Sequence, residues 1–367
     1  MLHSSFFILH SSFSILSMLD VLELTKTLIE IPSVSGDERQ VAEYTATLLD
    51  QLGFQVILQE AEFDRPNVYA WLGEPAVVLS THTDTVPPFF GWSEDEEFVY
   101  GRGACDAKGI MAAMIVAARQ LQAQGTKGFG LLFVVGEERG SIGARRANDI
   151  PNISRFLING EPTESTLATG SKGALRFKLK TRGVAGHSAY PELGESAIHN
   201  LLDVLQTLRQ TAWPTCSRLG ATTLNIGEIQ GGVAPNVIAP QAEAHLIFRV
   251  VTSIAHLKQH LESVVGQQAA IEYLFECEPV ITEVIEGFPT SIAAFTTDIP
   301  LLTNWGKPLL FGPGSIHDAH TATERIRKSE LLAAPARYVE LVKKLIPEVV
   351  SEPQNVNGFQ PEFVQFD

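Results

Sequence analysis

Two stretches of the chain admit few environments. GLLFVV (130–135) and FLIN (156–159) are continuous apolar runs with no polar side to turn toward water. Strands of that kind need cover on both faces, as the interior strands of a largely parallel sheet have. Helical segments alternate with them. From Asp37 to Leu52, apolar side chains fall at Val41, Tyr44, Leu48, Leu49 and Leu52, a helical spacing closed by Gly53. AKGIMAAMIVAARQLQAQG (107–125) reads as an Ala-rich buried helix ended by Gly125, and short strand-like runs occupy 54–58, 68–72 and 77–80. Helices alternating with buried strands predict an α/β layered architecture.

The pattern then changes. ALRFKLKTRG (174–183) alternates Leu175, Phe177 and Leu179 with charged residues, so one face of that strand is wet. A helix near 195–210, strands near 222–229 and 241–250, a helix near 255–265 and a strand near 269–276 complete a smaller α+β sandwich. After Pro279 the α/β character returns and ends in a helix over 329–345. The chain therefore reads as an α/β domain in two parts, 18–170 and 278–347, interrupted by an inserted domain over 171–277. Residues 348–367 read as a flexible tail. Residues 1–17 read as a non-structural extension, because LHSSFFIL is followed at once by the near-duplicate HSSFSIL with no Lys or Arg before Lys26. A degenerate signal peptide is the alternative there.

Composition narrows the partners. A formal charge of -15 is repelled by nucleic acid and by acidic lipid, which argues against both. The 3 cysteines, Cys105, Cys216 and Cys277, are scattered and odd in number. Reduced thiols in the cytoplasm account for them better than a disulfide framework.

Five segments place histidines and carboxylates where buried runs end. STHTDTVP (80–87) offers His82 and Asp84, two apart and so on one side of an extended chain. GRGACDAKG (101–109) puts Asp106 at a helix start, where capping is the ordinary duty of an aspartate. VVGEERG (134–140) offers the adjacent acids Glu137 and Glu138, and INGEPT (158–163) offers Glu161. GPGSIHDAHTATE (312–324) offers His317 and His320. Taken singly, these are polar loops, a cap and solvated acids. Together they supply the hard oxygen and imidazole donors of a zinc site. Two ions about 4 Å apart would need a bridging carboxylate and a shared water. Two divalent ions against three carboxylates leave roughly +1, which attracts an anionic substrate to an acidic protein.

In this order the five segments resemble the acetylornithine deacetylase and succinyl-diaminopimelate desuccinylase family of two-zinc metallopeptidases, with its aminoacylases and glutamate carboxypeptidases. The likeness runs from about residue 19 to 345. It implies a zinc-peptidase-like α/β/α catalytic domain with an inserted lid and dimerisation domain, and two Zn²⁺ per chain, with Co²⁺ or Mn²⁺ as substitutes. It further implies that His82 binds one ion and Asp106 bridges both, with Glu161 joining His82 and Glu138 joining His320. Asp84 would orient His82, and Glu137 would be the general base. His320 is preferred to His317 because it keeps the spacing to Glu324. In GVAGHSAYP (183–191), His187 would reach a partner subunit's active site in a homodimer. Asn236, Arg249 and Lys172 resemble positions that hold the substrate carboxylate, although a salt bridge to a neighbouring strand would also explain Arg249.

Glu161, where other branches often carry Asp, and GPGS (312–315) favour the deacetylase branch, hence N-acetylornithine hydrolysis in arginine biosynthesis. Gly136 departs from the family, which often has Asp there, and Thr323 stands where a DE pair is common. The rival enzymes are a succinyl-diaminopimelate desuccinylase and a dipeptidase or carboxypeptidase. The rival of another class is a binding protein without catalysis, against which an intact Glu137 argues.

Overall fold

A computed structural model describes residues 19–351. The extension over 1–17 and most of the 348–367 tail lie outside the described residues. Two compact units emerge. One comprises the described residues up to Ala168, Thr282–Ser291 and those from Thr297 onward; the other comprises Thr169–Ile281 and Ile292–Thr296.

The first unit opens with a helix the sequence reading did not anticipate, α1 (Val21–Glu30). Its buried residues Val21, Leu24, Thr25, Leu28 and Ile29 recur at helical spacing on one face. Asp20 caps it, its carboxylate accepting from the amides of Leu22 and Glu23, and it stops before Pro32. Helix α2 (Arg39–Gln51) follows, then strands β1 (Gln55–Glu62), β2 (Arg65–Leu72) and β3 (Val77–His82). Helix α3 (Lys108–Ala123) is buried over most of its circumference, which its alanines permit. Strands β4 (Phe129–Val134) and β5 (Phe156–Asn159) are buried at every residue, as continuous apolar runs require.

The sheet order is β1–β2–β4–β3–β5–β10, with β10 (Lys307–Leu310) at the far edge. Strands β4, β3, β5 and β10 are mutually parallel, and the β1–β2 hairpin joins antiparallel to β4. Strand alternation divides the side chains between two cores. Val77, Leu79, Leu131, Phe133 and Ile158 face α1, α2, α3 and the last helix. Val78, Leu132, Val134 and Leu157 face the short helix α4 (Ile142–Ala147) and Trp305. The sheet is thus the middle of three layers. The last helix, α7 (Lys328–Ser351), carries Pro335 and Pro347 internally and outruns the 329–345 read from the sequence.

The second unit is a two-layer sandwich. Strands β6 (Gly173–Arg182), β7 (Thr223–Gly231), β8 (Gln241–Val250) and β9 (Ala270–Cys277) form an antiparallel sheet in the order β7–β8–β6–β9. Leu175, Phe177, Leu179, Leu246 and Phe248 on one face pack against α5 (Ala197–Gln210) and α6 (Ile254–Val265). The alternation in ALRFKLKTRG marks the covered and uncovered faces.

Candidate metal centre

Four parallel strands end on one edge of the central sheet, and the chemistry collects there. β3 delivers His82, which is 1% exposed. Its Nδ1 lies 2.9 Å from the main-chain carbonyl of Asp84 and 3.5 Å from Asp84 Oδ1. That contact leaves Nε2 facing inward, 2.9 Å from Asp106 Oδ1. The Asp84 carboxylate has a second duty: it accepts from the amides of Glu137 (3.0 Å) and Glu138 (3.2 Å) and from Ser35 Oγ (2.7 Å). It thereby ties the turn after β4 to the turn after β3. That turn is left-handed at Gly136 (φ 72°), where a Cβ would stand 2.7 Å from the Arg65 guanidinium.

Asp106 does not cap α3. Ala107 occupies the cap position with no side-chain bond, and the Asp106 carboxylate turns into the cluster. Its Oδ1 faces His82, and its Oδ2 lies 3.3 Å from His320 Nε2. The same His320 nitrogen is 2.7 Å from Glu138 Oε1. One carboxylate therefore presents one oxygen to each of two imidazoles. Glu161 is 4% exposed, and its Oε1 has no hydrogen-bond partner among the described residues. His317 is exposed and outside the cluster, its amide donating to Ser315 Oγ.

The electrostatics match a crowd of acids around two bases. Hydrogen bonds that His320 donates to the carboxylates of Asp106 and then Glu138 push it up to about 10. Burial works against the charged form of His82, but the Asp106 and Asp84 carboxylates outweigh it and hold the ring well above its usual range. Burial followed by the charge of Glu161 lifts Glu137 well above the ordinary carboxylate range. Burial and then Asp106 do the same to Glu161. A buried anionic cluster with one orphaned oxygen is stabilised by divalent cations. His82, Asp106 and Glu138 already bring one donor atom each within 4.8 Å of one another. The donors fit a pair of hard or borderline ions.

Two buried acids were given no role by the sequence. Glu324 is wholly buried beneath the Asp106 loop and paired with Arg102 at 2.6 Å; its signal was its place four residues after His320. Asp298 is 1% exposed, and its Oδ1 has no hydrogen-bond partner among the described residues. No motif marked it.

The other anticipated residues lie in the second unit and fall into two groups. His187 is exposed and bridges to Val237, beside Asn236, whose carbonyl accepts from the Ser188 amide. Arg249 and Lys172 sit at the other end of the sheet, where Val250 pairs with Gly173. Lys172 Nζ donates to the Ala221 carbonyl (2.6 Å), and Arg249, half-buried, forms no ion pair among the described residues. The ten-residue strands between the two groups span about 30 Å.

A three-layer α/β unit with donors on its strand ends, together with a separate α+β unit, defines the class of metallopeptidase-like hydrolases. Residues 169–271 match the peptidase dimerisation domain of M20 enzymes, and residues 67–160 match peptidase family M28. A peptidase M20 domain-containing protein of Schizosaccharomyces pombe is 38% identical over 88% of this chain and 84% of its own. A probable carboxypeptidase of Aspergillus clavatus is 34% identical over 89% of each. The structure resembles a dinuclear metal binding M20 peptidase of Bacillus subtilis, with a TM-score of 0.68, 15% identity, and coverage of 89% of this chain and 98% of that one. The chain belongs to the M20 peptidase family. The M28 match spans only sheet and helices of the first unit, whereas the M20 relatives span both units. The two relatives are described as a peptidase and a carboxypeptidase, so the family is fixed while the narrower likeness to acetylornithine deacetylase is not.

Proposed function

We propose that this M20 hydrolase uses two divalent ions, zinc by preference, to cleave an amide bond beside a free α-carboxylate. One observation carries the reading: Asp106 offers separate oxygens to His82 and His320. That is the disposition of a bridging carboxylate. His82 and Glu161 would complete one ion's ligands, and His320 and Glu138 the other's.

The ions, when bound, lower the pKa of a water toward neutrality and polarise the scissile carbonyl. Glu137 is the neighbouring acid left out of this ligand set. It takes the proton of the attacking water and returns it to the leaving amine, a base and then an acid. Burial favours its protonated form, so the proton has somewhere to rest between the two transfers. The Asp84 carboxylate fixes the turn that aims it.

His187 would hydrogen-bond the oxyanion from a second copy of the chain, with Asn236 at its side. Arg249 and Lys172 would hold the substrate carboxylate. Lying about 30 Å apart along one sheet, the two groups cannot meet one small substrate from the same copy. This separation supports a homodimer, as does the match to a dimerisation domain. The edge strand β7, with exposed Ile229, and the exposed Tyr190, Leu193 and Val233 supply a surface for it. Three free thiols suit a cytoplasmic protein.

The probable carboxypeptidase among the relatives favours a peptide with a free carboxyl terminus as substrate. An N-acetyl amino acid such as N-acetylornithine is the second reading, supported by Glu161 and by GPGS at 312–315. The discriminating experiment is amine release from a panel of dipeptides, N-acetyl and N-succinyl amino acids, each blocked or free at the carboxyl terminus, with zinc restored. The proposal expects hydrolysis only where the α-carboxylate is free; equal turnover of carboxyl-blocked substrates contradicts it.

A further inference from the structure

Among the buried carboxylates that neither bind an ion nor move a proton in the scheme above, Glu324 lies against the loop that carries Asp106. Glu324 has no exposed surface. Its Oε1 accepts three main-chain amides: Gly103 (3.0 Å), Cys105 (3.2 Å) and Asp106 (3.1 Å). Its Oε2 takes Arg102 Nη1 at 2.6 Å, and its own carbonyl accepts from the Gly101 amide at 3.2 Å. Arg102, itself 2% exposed, is held by a further bond from Nε to the Pro88 carbonyl. Four groups of the 101–106 loop, three amides and the Arg102 guanidinium, thus gather around a single carboxylate.

The other bonds on the loop are spread over separate partners: the Arg102 amide donates to the Phe90 carbonyl (3.0 Å), the Ala104 amide to the Gly101 carbonyl (3.0 Å) and Cys105 Sγ to the Ser315 carbonyl (3.2 Å). Helix α3 lacks a side-chain cap, and Gly103 adopts φ 87°, where a Cβ would stand 2.9 Å from Thr85 Cγ2. The loop ends in Asp106, whose two oxygens must face two imidazoles at once. One of those imidazoles, His320, lies four residues before Glu324. A single segment therefore supplies a donor to the cluster and the anchor of the opposing donor.

We infer that Glu324, locked by Arg102, is a positioning residue that sets Asp106 for both ions. The inference rests on the two-metal reading above. A carboxylate suits the task because it can accept three amides on one oxygen while pairing with a buried guanidinium on the other. A neutral amide would keep the shape, lose the charge and turn an NH₂ group toward Arg102.

The test compares wild type, Glu324→Gln, Glu324→Ala and, as a control, Val342→Ala in the core. Each metal-free chain is titrated with Zn²⁺ alone by equilibrium dialysis, and exchange of the Gly103, Cys105 and Asp106 amides is followed. Glu324→Ala is expected to weaken zinc binding about 10–100-fold and to speed exchange at those three amides, with Glu324→Gln intermediate. Val342→Ala lowers the unfolding temperature and leaves zinc affinity unchanged. Wild-type zinc affinity and wild-type exchange in a folded Glu324→Ala overturn the inference. Should Glu324→Ala fail to fold, Glu324→Gln carries both readouts. Accelerated exchange in a protein whose wild type takes up no zinc would instead overturn the two-metal reading and leave Glu324 as the loop's anchor.

Discussion

Asp106 stands beside the first turn of α3, where an aspartate ordinarily caps, and its carboxylate faces two histidines instead. The same chemistry separates the two adjacent glutamates: Glu138 meets His320, while the Glu137 carboxylate, left out of the proposed ligand set, is free for proton transfer in the proposed scheme. Replacing Glu137 with Gln should leave two zinc ions bound and lower turnover by about 10²–10⁴-fold; unchanged turnover in the zinc-loaded variant would remove it as the base. Asp298 makes a pH prediction. Burial lifts its carboxyl from 3.8 to about 6. The unfolded chain releases that proton near 3.8, whereas the folded chain keeps it until about 6. The metal-free protein therefore loses stability as pH rises through this interval, by at most about 3 kcal/mol from this group. In EDTA, Asp298→Asn should exceed wild type in stability near pH 7 but not near pH 4. An equal difference at both pH values would contradict this. The donors were legible as residue types at strand ends, because metal chemistry accepts few side chains. Asp298 was not, and Glu324 was legible only as a spacing mark for His320, since the role of a buried acid shows only through the partners that folding brings to it.

At the scale of elements, α3 joins the core to the centre. Its Gly109 is helical, and alanine there would gain about 1 kcal/mol in propensity. A Cβ, however, would stand 2.3 Å from the Ala104 carbonyl, in the loop that carries Asp106. Gly109→Ala should therefore destabilise the protein by about 1–3 kcal/mol despite its helical setting. A urea midpoint above wild type would show the contact to be tolerated. Elements with strong periodicity were readable: α2, α3, β4, β5 and the alternating β6 lie within a few residues of their sequence bounds. α1 carries an aspartate cap and an apolar stripe, signals that are present in the sequence at Asp20 and at Val21, Leu24 and Leu28. β10, KPLL, is too short and too proline-marked to declare itself. Its place is set by parallel pairing with β5, Lys307 lying opposite Phe156.

For the whole molecule, the change from continuous apolar runs to alternating strands marked where a second kind of layer begins, because covered and half-covered sheets need different patterns. What this unit does for the first could not be read from pattern alone. With a 40.0 kDa chain, the homodimer reading predicts about 80 kDa, twice that mass, by light scattering; a species of single-chain mass at micromolar concentration would argue against it. The central claim is the paired metal site, and zinc titration of the stripped enzyme tests it most directly. Two zinc ions per chain, with hydrolysis of a carboxylate-bearing amide returning as they bind, is the predicted result. A chain that binds no zinc, or one that hydrolyses the same amide equally well after chelation, would contradict it.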